Sequence, residues 1–334
     1  MSRHIVLDLV ERIGTLAAGD QVEVPISAGD ADVVARWCER AGHQLVSIEG
    51  DRAVVRRGPL PGEATVRAAV PADRWPGTRL WIYTNFDCNL ACDYCCARSS
   101  PQAPRRELGS DRIRRLVAEG ARHGVTEVFL TGGEPFLLLD LDEIVRRCVE
   151  WVPTTVLTNG MLFKGRRLRM LRNMPRAGFA LQISLDSASA ALHDLHRGDG
   201  SWRRALAGIR TALEEGFRVR VAATVAGGEA GAEEVAAFHE LLDGLGIDRS
   251  DQLIRPIAQR GFADDGVMLT VESLIPEVTV TADGVYWHPV AANHDDQLVT
   301  RELFPLDQAI DEVRRRFVQY RREADTAARR FTCA

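Results

Sequence analysis

Four of the seven cysteines fall within nine residues, in the run Cys88-Asn89-Leu90-Ala91-Cys92-Asp93-Tyr94-Cys95-Cys96. Cys38, Cys148 and Cys333 are scattered. Three thiolates on one short loop, at Cys88, Cys92 and Cys95, can hold three irons of a cubane. A fully ligated cubane takes a fourth cysteine. With three, one iron stays open to a ligand that offers an amine and a carboxylate. The competing reading is structural zinc on Cys88, Cys92, Cys95 and Cys96, since such sites take four ligands in paired short spacings. Cys96 is read as a packed thiol rather than a cluster ligand.

More chemistry-bearing groups follow in order. Thr131-Gly132-Gly133-Glu134-Pro135 comes first, then Thr158-Asn159-Gly160, then Ser184-Leu185-Asp186, then His193-Asp194-Leu195-His196-Arg197-Gly198. Gly132 and Gly133 let backbone approach a ligand closely. Glu134 can accept a charge-assisted hydrogen bond from an ammonium group. Arg197 can grip a carboxylate with two parallel bonds. Taken alone, the glycine motifs are turns, and Ser184 and Asp186 are helix caps. His193 and His196 are read as surface or supporting groups, not metal ligands. A zinc site would leave all of these motifs unexplained.

The elements that position them repeat one rhythm from Thr78 to about Ile257: strand, helix, glycine, strand. The predicted strands are Leu80–Asn85, Val128–Thr131, Thr155–Thr158, Ala180–Leu185, Val219–Val225 and Leu253–Ile257. Gly124, Gly178, Gly216 and Gly246 stand before strands, where a helix ends in the left-handed conformation. Asp140 with Glu143 resembles a capping box. Alternation at this spacing implies parallel strands with helical crossovers, an open or partly closed α/β barrel. In such folds chemistry sits at the carboxyl ends of the strands. The first three motifs end predicted strands.

The cysteine spacing, with Tyr94 before the last thiol, resembles the signature of the radical S-adenosylmethionine (radical SAM) superfamily. The resemblance covers roughly residues 78 to 260 and is closest to its peptide-modifying and cofactor-maturing branches. It implies a partial (β/α)6 barrel over residues 78–258. It implies one 4Fe–4S cluster on Cys88, Cys92 and Cys95. It places S-adenosylmethionine on Tyr94, Gly132, Gly133, Glu134, Pro135, Thr158, Asn159, Ser184, Asp186 and Arg197. The implied activity is reductive cleavage of that cofactor to a 5′-deoxyadenosyl radical. The radical would take hydrogen from a peptide or a small molecule of natural-product or cofactor biosynthesis. An electron donor such as flavodoxin or ferredoxin is implied too. The alternative function is an inactive barrel serving docking or sulfur traffic.

Residues 1–68 are expected to form a small α+β domain. Val22, Val24 and Ile26 alternate as in a strand, and Asp30 is expected to cap a helix ending near Gly42. Gln44–Glu49 and Arg52–Arg56 read as a hairpin. The unit weakly resembles sulfur-carrier proteins through Val6-Leu7-Asp8-Leu9, Ala18-Gly19-Asp20 and residues 37–43, but lacks their Cys-Pro. Cys38 is read as a core residue, and the unit as a docking module for a partner protein. Residues 259–334 resemble a degenerate SPASM/twitch-like extension covering the barrel mouth. A hairpin is expected around Ala282-Asp283-Gly284, with a helix over Leu306–Arg322. His288-Pro289 stands where that extension carries a cysteine, so no auxiliary cluster is expected. Arg255, Gln259 and Arg260 are candidates to line the pocket, with a structural role as the other reading. Cys333 is either part of a frayed tail or, folded back beside Phe331, a hydrogen-atom donor or resting-state ligand.

Composition narrows the rest. The 334 residues are 46% hydrophobic and 27% charged, as in ordinary globular chains. The net charge of −5 gives no reason to expect nucleic acid or an anionic membrane as partner. Lys164 is the only lysine, in what reads as the start of a solvated helix, so Schiff-base chemistry is nearly excluded. The start, Met1 to Val6, has no signal-like apolar core, and a cytoplasmic location is expected.

Overall fold

The computed structural model describes residues 5–14, 16, 19–27, 29–58, 63–225 and 232–330. It divides into two compact units, residues 1–71 with 315–334, and residues 72–314. Among the described residues, no helix is long and apolar enough to cross a membrane.

The first unit contains α1 (Ile5–Gly14), β1 (Gln21–Pro25), α2 (Asp30–Ala41), β2 (Gln44–Glu49), β3 (Arg52–Arg56) and α3 (Glu63–Ala68). Its strands form an antiparallel sheet in the order β1-β3-β2. Leu9, Val24, Val34, Trp37, Cys38 and Val55 make its core. Asp30 is not a helix cap. Gly29, at φ 101°, takes that position, and the Asp30 carboxylate accepts the Ser27 N–H at 2.7 Å. Val6 to Leu9, part of the sulfur-carrier likeness, fall within α1.

In the second unit strands and helices alternate: β4 (Arg79–Tyr83), α4 (Ser110–Arg122), β5 (Glu127–Thr131), α5 (Leu141–Val149), β6 (Thr154–Thr158) and α6 (Gly165–Arg172). Then come β7 (Phe179–Ser184), α7 (Ala190–Arg197), α8 (Ser201–Glu214), β8 (Arg218–Val225), α9 (Ala232–Gly244) and β9 (Gln252–Pro256). β4 to β9 lie in sequence order and pair in parallel. This is the expected six-stranded partial barrel, with each strand within two residues of its predicted ends. Asp140 sits at the start of α5, but its side chain makes no capping bond.

The C-terminal part adds β10 (Val278–Thr281), β11 (Gly284–Tyr286), β12 (Leu298–Thr300) and α10 (Leu306–Arg330). β10 pairs in parallel with β4, and β11 and β12 follow antiparallel. The extension therefore widens the sheet from its β4 edge.

Register separates the two faces of the sheet. Leu80, Ile82, Val128, Leu130, Leu181 and Val221 share the apolar face and are fully buried, as a helix-covered face must be. The other face carries Arg79, Trp81 and Tyr83, and, in register with them, Glu127, Phe129 and Thr131. At the strand starts of this inward face, opposite charges lie near one another. Glu127 lies 3.7 Å from both Arg79 and Arg220, and Asp251 lies 3.6 Å from Arg220.

Candidate active site

The loop from Thr84 to Ser100 leaves β4 and carries the cysteines. Asn85, fully buried, anchors it. Its amide donates to the Asp87 carbonyl (3.0 Å), the Asp87 carboxylate (3.0 Å) and the Glu134 carbonyl (3.1 Å). Gly133 and Glu134 return backbone N–H bonds to Asn85 and Asp87, each at 3.0 Å. A Cβ on Gly132 would stand 2.4 Å from the Asn85 carbonyl oxygen, and one on Gly133 would stand 2.1 Å from that of Asp87. The close approach that requires these glycines is to the cysteine loop.

Glu134 is fully buried as well. Its carboxylate accepts from the Phe136 N–H (3.0 Å), the Thr158 hydroxyl (2.7 Å) and the Asn159 N–H (2.8 Å). Burial pushes its carboxyl up, and these bonds oppose that shift. The Asn159 amide reaches across to Asn89 at 2.8 Å. Glu134 therefore joins the ends of β5 and β6, and Asn159 ties them to the cysteine loop. Pro135, also buried, opens a short 3-10 turn that Glu134 caps.

On the other side, Tyr94 donates to Asp186 at 2.5 Å. Asp186 also accepts from Arg197 Nε (2.6 Å), Arg197 Nη2 (3.2 Å) and the Thr224 N–H (3.1 Å). Burial would raise the Asp186 carboxyl, but the Arg197 charge and these bonds hold it below the usual range. The Asp186 N–H donates to His193 Nδ1 at 3.1 Å, and His196 pairs with Asp93 at 2.9 Å. His193 is buried and takes the supporting of its two readings, not the surface one, and burial pushes its pKa down to about 4. Asp186 and Arg197, both expected on the cofactor, hold each other. Ser184 is half-buried on the same rim, and its hydroxyl has no partner among the described residues.

The thiols of Cys88, Cys92 and Cys95 are unbridged. Cys88 Sγ accepts from the Leu90 N–H and Cys95 Sγ from the Ser99 N–H, both at 3.4 Å. Burial pushes the Cys88 thiol up to about 12 and the Cys92 thiol up to about 11, the latter opposed by Arg197. Among the described residues, no group of three His, Cys, Asp or Glu is set as a single-ion site. A cubane attaches each thiolate to a separate iron, and N–H donors aimed at its sulfurs fit it. The donor set therefore fits a three-cysteine 4Fe–4S cluster.

The extension packs on the same loop. Tyr83 donates to the Pro289 carbonyl (2.7 Å), Asn293 to that of Ala97 (2.9 Å), and the Phe262 N–H to that of Cys95 (3.1 Å). Gly261, at φ 69°, allows this last approach, since a Cβ there would meet the Cys95 carbonyl oxygen at 2.2 Å. His288 accepts the Val290 N–H at 3.3 Å and caps a turn. Arg260 is spent on Asp296 (2.9 Å) and Gln259 on the Asp264 carbonyl (2.7 Å). Arg255, in register with Thr224 on the inward face, is exposed and has no carboxylate partner among the described residues. Cys333 and Phe331 lie outside the described residues. Asn85 was missed because it sits in a predicted strand. A buried-type position filled by asparagine at a strand end was the available signal.

The chain is similar to known proteins in sequence and in fold. The radical SAM superfamily model matches residues 82–242. An AdoMet-dependent heme synthase of Methanosarcina barkeri is 35% identical over 162 residues, 48% of this chain and 45% of that protein. The antilisterial bacteriocin subtilosin biosynthesis protein AlbA of Bacillus subtilis is 34% identical over 143 residues, 41% of this chain and 31% of that one. The chain spans half or less of the curated relatives it first matches. Among solved structures, native anSMEcpe with bound AdoMet superposes with TM-score 0.55 at 13% identity, over 72% of this chain and 83% of that one. This last likeness is one of fold.

Proposed function

We propose, from the radical SAM domain that this chain carries, that it is an enzyme of radical hydrogen abstraction acting on a peptide or a small molecule of natural-product or cofactor biosynthesis. The observation that carries this reading is the three-thiol loop at the carboxyl ends of the parallel strands, anchored by Asn85 and joined by Asn89 and Tyr94 to the neighbouring strand ends. When bound, a 4Fe–4S cluster with S-adenosylmethionine supplies a 5′-deoxyadenosyl radical by one-electron cleavage of a sulfur–carbon bond.

The chain's residues divide into two kinds. Asn85, Glu134, Asn159, Tyr94, Asp186 and Arg197 hold the loop and the strand ends in place. Ser184 keeps a free hydroxyl on the rim for a carboxylate, and the unspent N–H groups of Arg197 offer positive charge beside Cys92. Arg255 gives the inward face a cation for an acidic group of the substrate. The relatives' names, a heme synthase and a bacteriocin biosynthesis protein among them, point to tetrapyrrole, cofactor and peptide substrates. A partner protein docking on the first unit, and a donor role for Cys333, are carried by sequence alone. Sulfur traffic is less well supported, because Cys38 is buried and its thiol is pushed up to about 11 by that burial.

The test is anaerobic reconstitution with iron and sulfide, followed by dithionite and S-adenosylmethionine. About four irons per chain are expected, with 5′-deoxyadenosine and methionine as products. Cys92→Ala should remove both. Full iron loading with no 5′-deoxyadenosine would sink the reading.

A further inference from the structure

Residues 164–176 hold six basic side chains, Lys164, Arg166, Arg167, Arg169, Arg172 and Arg176, and no Asp or Glu. In a chain of net charge −5 this run stands out. Arg167 is spent on the Phe136 carbonyl at 2.7 Å. Arg172 pairs with Glu215 at 2.7 Å, and Arg176 binds the Glu215 carbonyl at 3.0 Å. Lys164, Arg166 and Arg169 are exposed and have no partner among the described residues. Lys164 stands at the start of α6, while Met170 and Leu171 bury its inner side. Arg166, Arg169 and Arg172 recur every third residue and so share one side of the helix.

Folding gains from the bonded Arg167, Arg172 and Arg176 and from Arg169 in the last turn, but not from Lys164 and Arg166. Cations in a first turn oppose the helix dipole, and like charges three residues apart repel. A stabilising sequence would place acids here. The position is informative as well. Phe163, just before α6, packs its ring edge on Phe136 with centroids 4.8 Å apart. Glu134, two residues earlier, bonds the cysteine loop at the Asp87 carbonyl. The basic face therefore starts beside the segment that braces the loop, on the helix-covered side of the sheet. A substrate must reach the inward side. A carrier on this side would meet the loop through Phe163, Phe136 and Glu134.

We propose that the exposed side of α6 is the docking surface for an acidic one-electron carrier protein of the flavodoxin or ferredoxin class. This rests on the radical SAM reading, because that chemistry requires an electron from outside. The carrier gives up one electron, reduced flavodoxin passing from hydroquinone to semiquinone, and no covalent bond is exchanged between the proteins. Complementary surface charge of this kind speeds encounter and weakens with salt.

The experiment uses reconstituted full-length protein and a bacterial flavodoxin of net negative charge. Binding of oxidised flavodoxin is measured at low and at moderate salt, independently of turnover. Formation of 5′-deoxyadenosine is then compared with reduced flavodoxin and with dithionite. The triple variant Lys164→Glu/Arg166→Glu/Arg169→Glu should bind flavodoxin about tenfold or more weakly at low salt. It should lose most flavodoxin-driven product and keep dithionite-driven product. A control of equal charge change, Arg36→Glu/Arg114→Glu/Arg301→Glu, should behave as the parent. Equal flavodoxin affinity in the triple variant and the parent would overturn the proposal, as would equal loss in the control. Failure of the parent with dithionite would instead strike the reaction assignment, and the binding comparison would still decide the docking surface.

Discussion

Arg197 grips Asp186 through two hydrogen bonds, Nε to Oδ2 at 2.6 Å and Nη2 to Oδ1 at 3.2 Å, and both side chains are almost fully buried. With Tyr94 and the Thr224 N–H, four protein donors fill the Asp186 carboxylate. The pair is therefore first a clamp between the cysteine loop, the end of β7 and the end of α7.

Breaking a buried pair from one side leaves an uncompensated charge. Arg197→Ala should cost about 3–5 kcal/mol of stability, read by urea unfolding of the metal-free protein. An unchanged midpoint would refute the clamp. The pH dependence follows from the depressed Asp186 carboxyl. Its contribution is present above the unfolded pKa of about 3.9 and is lost as pH falls through the lower folded value. Asp186→Asn should remove that acid-side loss.

Glu134→Ala should act on stability before it acts on cofactor affinity. It strands three buried donors, the Phe136 N–H, the Thr158 hydroxyl and the Asn159 N–H. Each unsatisfied buried group costs roughly 1–3 kcal/mol, so the metal-free variant should melt well below the parent. A variant that melts normally yet binds S-adenosylmethionine poorly would return Glu134 to a direct ligand role.

His193 gives a second pH signature. Its ring accepts the Asp186 N–H through Nδ1, and burial holds its pKa near 4. The unfolded chain takes a proton near pH 6.5 and the folded chain does not, so stability falls as pH drops from about 6.5 to about 4, by up to ~3 kcal/mol. His193→Asn keeps an acceptor for the Asp186 N–H and should flatten that slope. Identical slopes in parent and variant would show that His193 does not titrate this way.

Cys38 should stay unlabelled when the protein is incubated with a cysteine desulfurase and labelled cysteine. Burial pushes its thiol up to about 11, which leaves almost no thiolate near neutral pH. Stoichiometric label on Cys38 would revive sulfur transfer.

The sequence by itself determined the barrel and the place of the chemistry. Apolar runs of strand length, each followed by an amphipathic helix and a glycine, leave few ways to bury both faces of a sheet. The order of motifs at the strand ends then located the rim, and the thiol spacing marked the loop proposed to hold the cluster. Local pattern carried these because each depends on neighbours along the chain.

What each polar group on the rim holds was decided only by the tertiary structure. Glu134, Asp186 and Arg197 have the chemistry of ligand contacts, and in the fold Glu134 accepts from Thr158 and Asn159 while Arg197 donates to Asp186. Gly132 and Gly133 make room for the cysteine loop. The bonds of Asn85 to Glu134 and of Asn159 to Asn89 span 49 and 70 residues. The physical reason is common to all of them. A buried polar group must find a partner, and which partner it finds depends on which strand ends the sheet brings together.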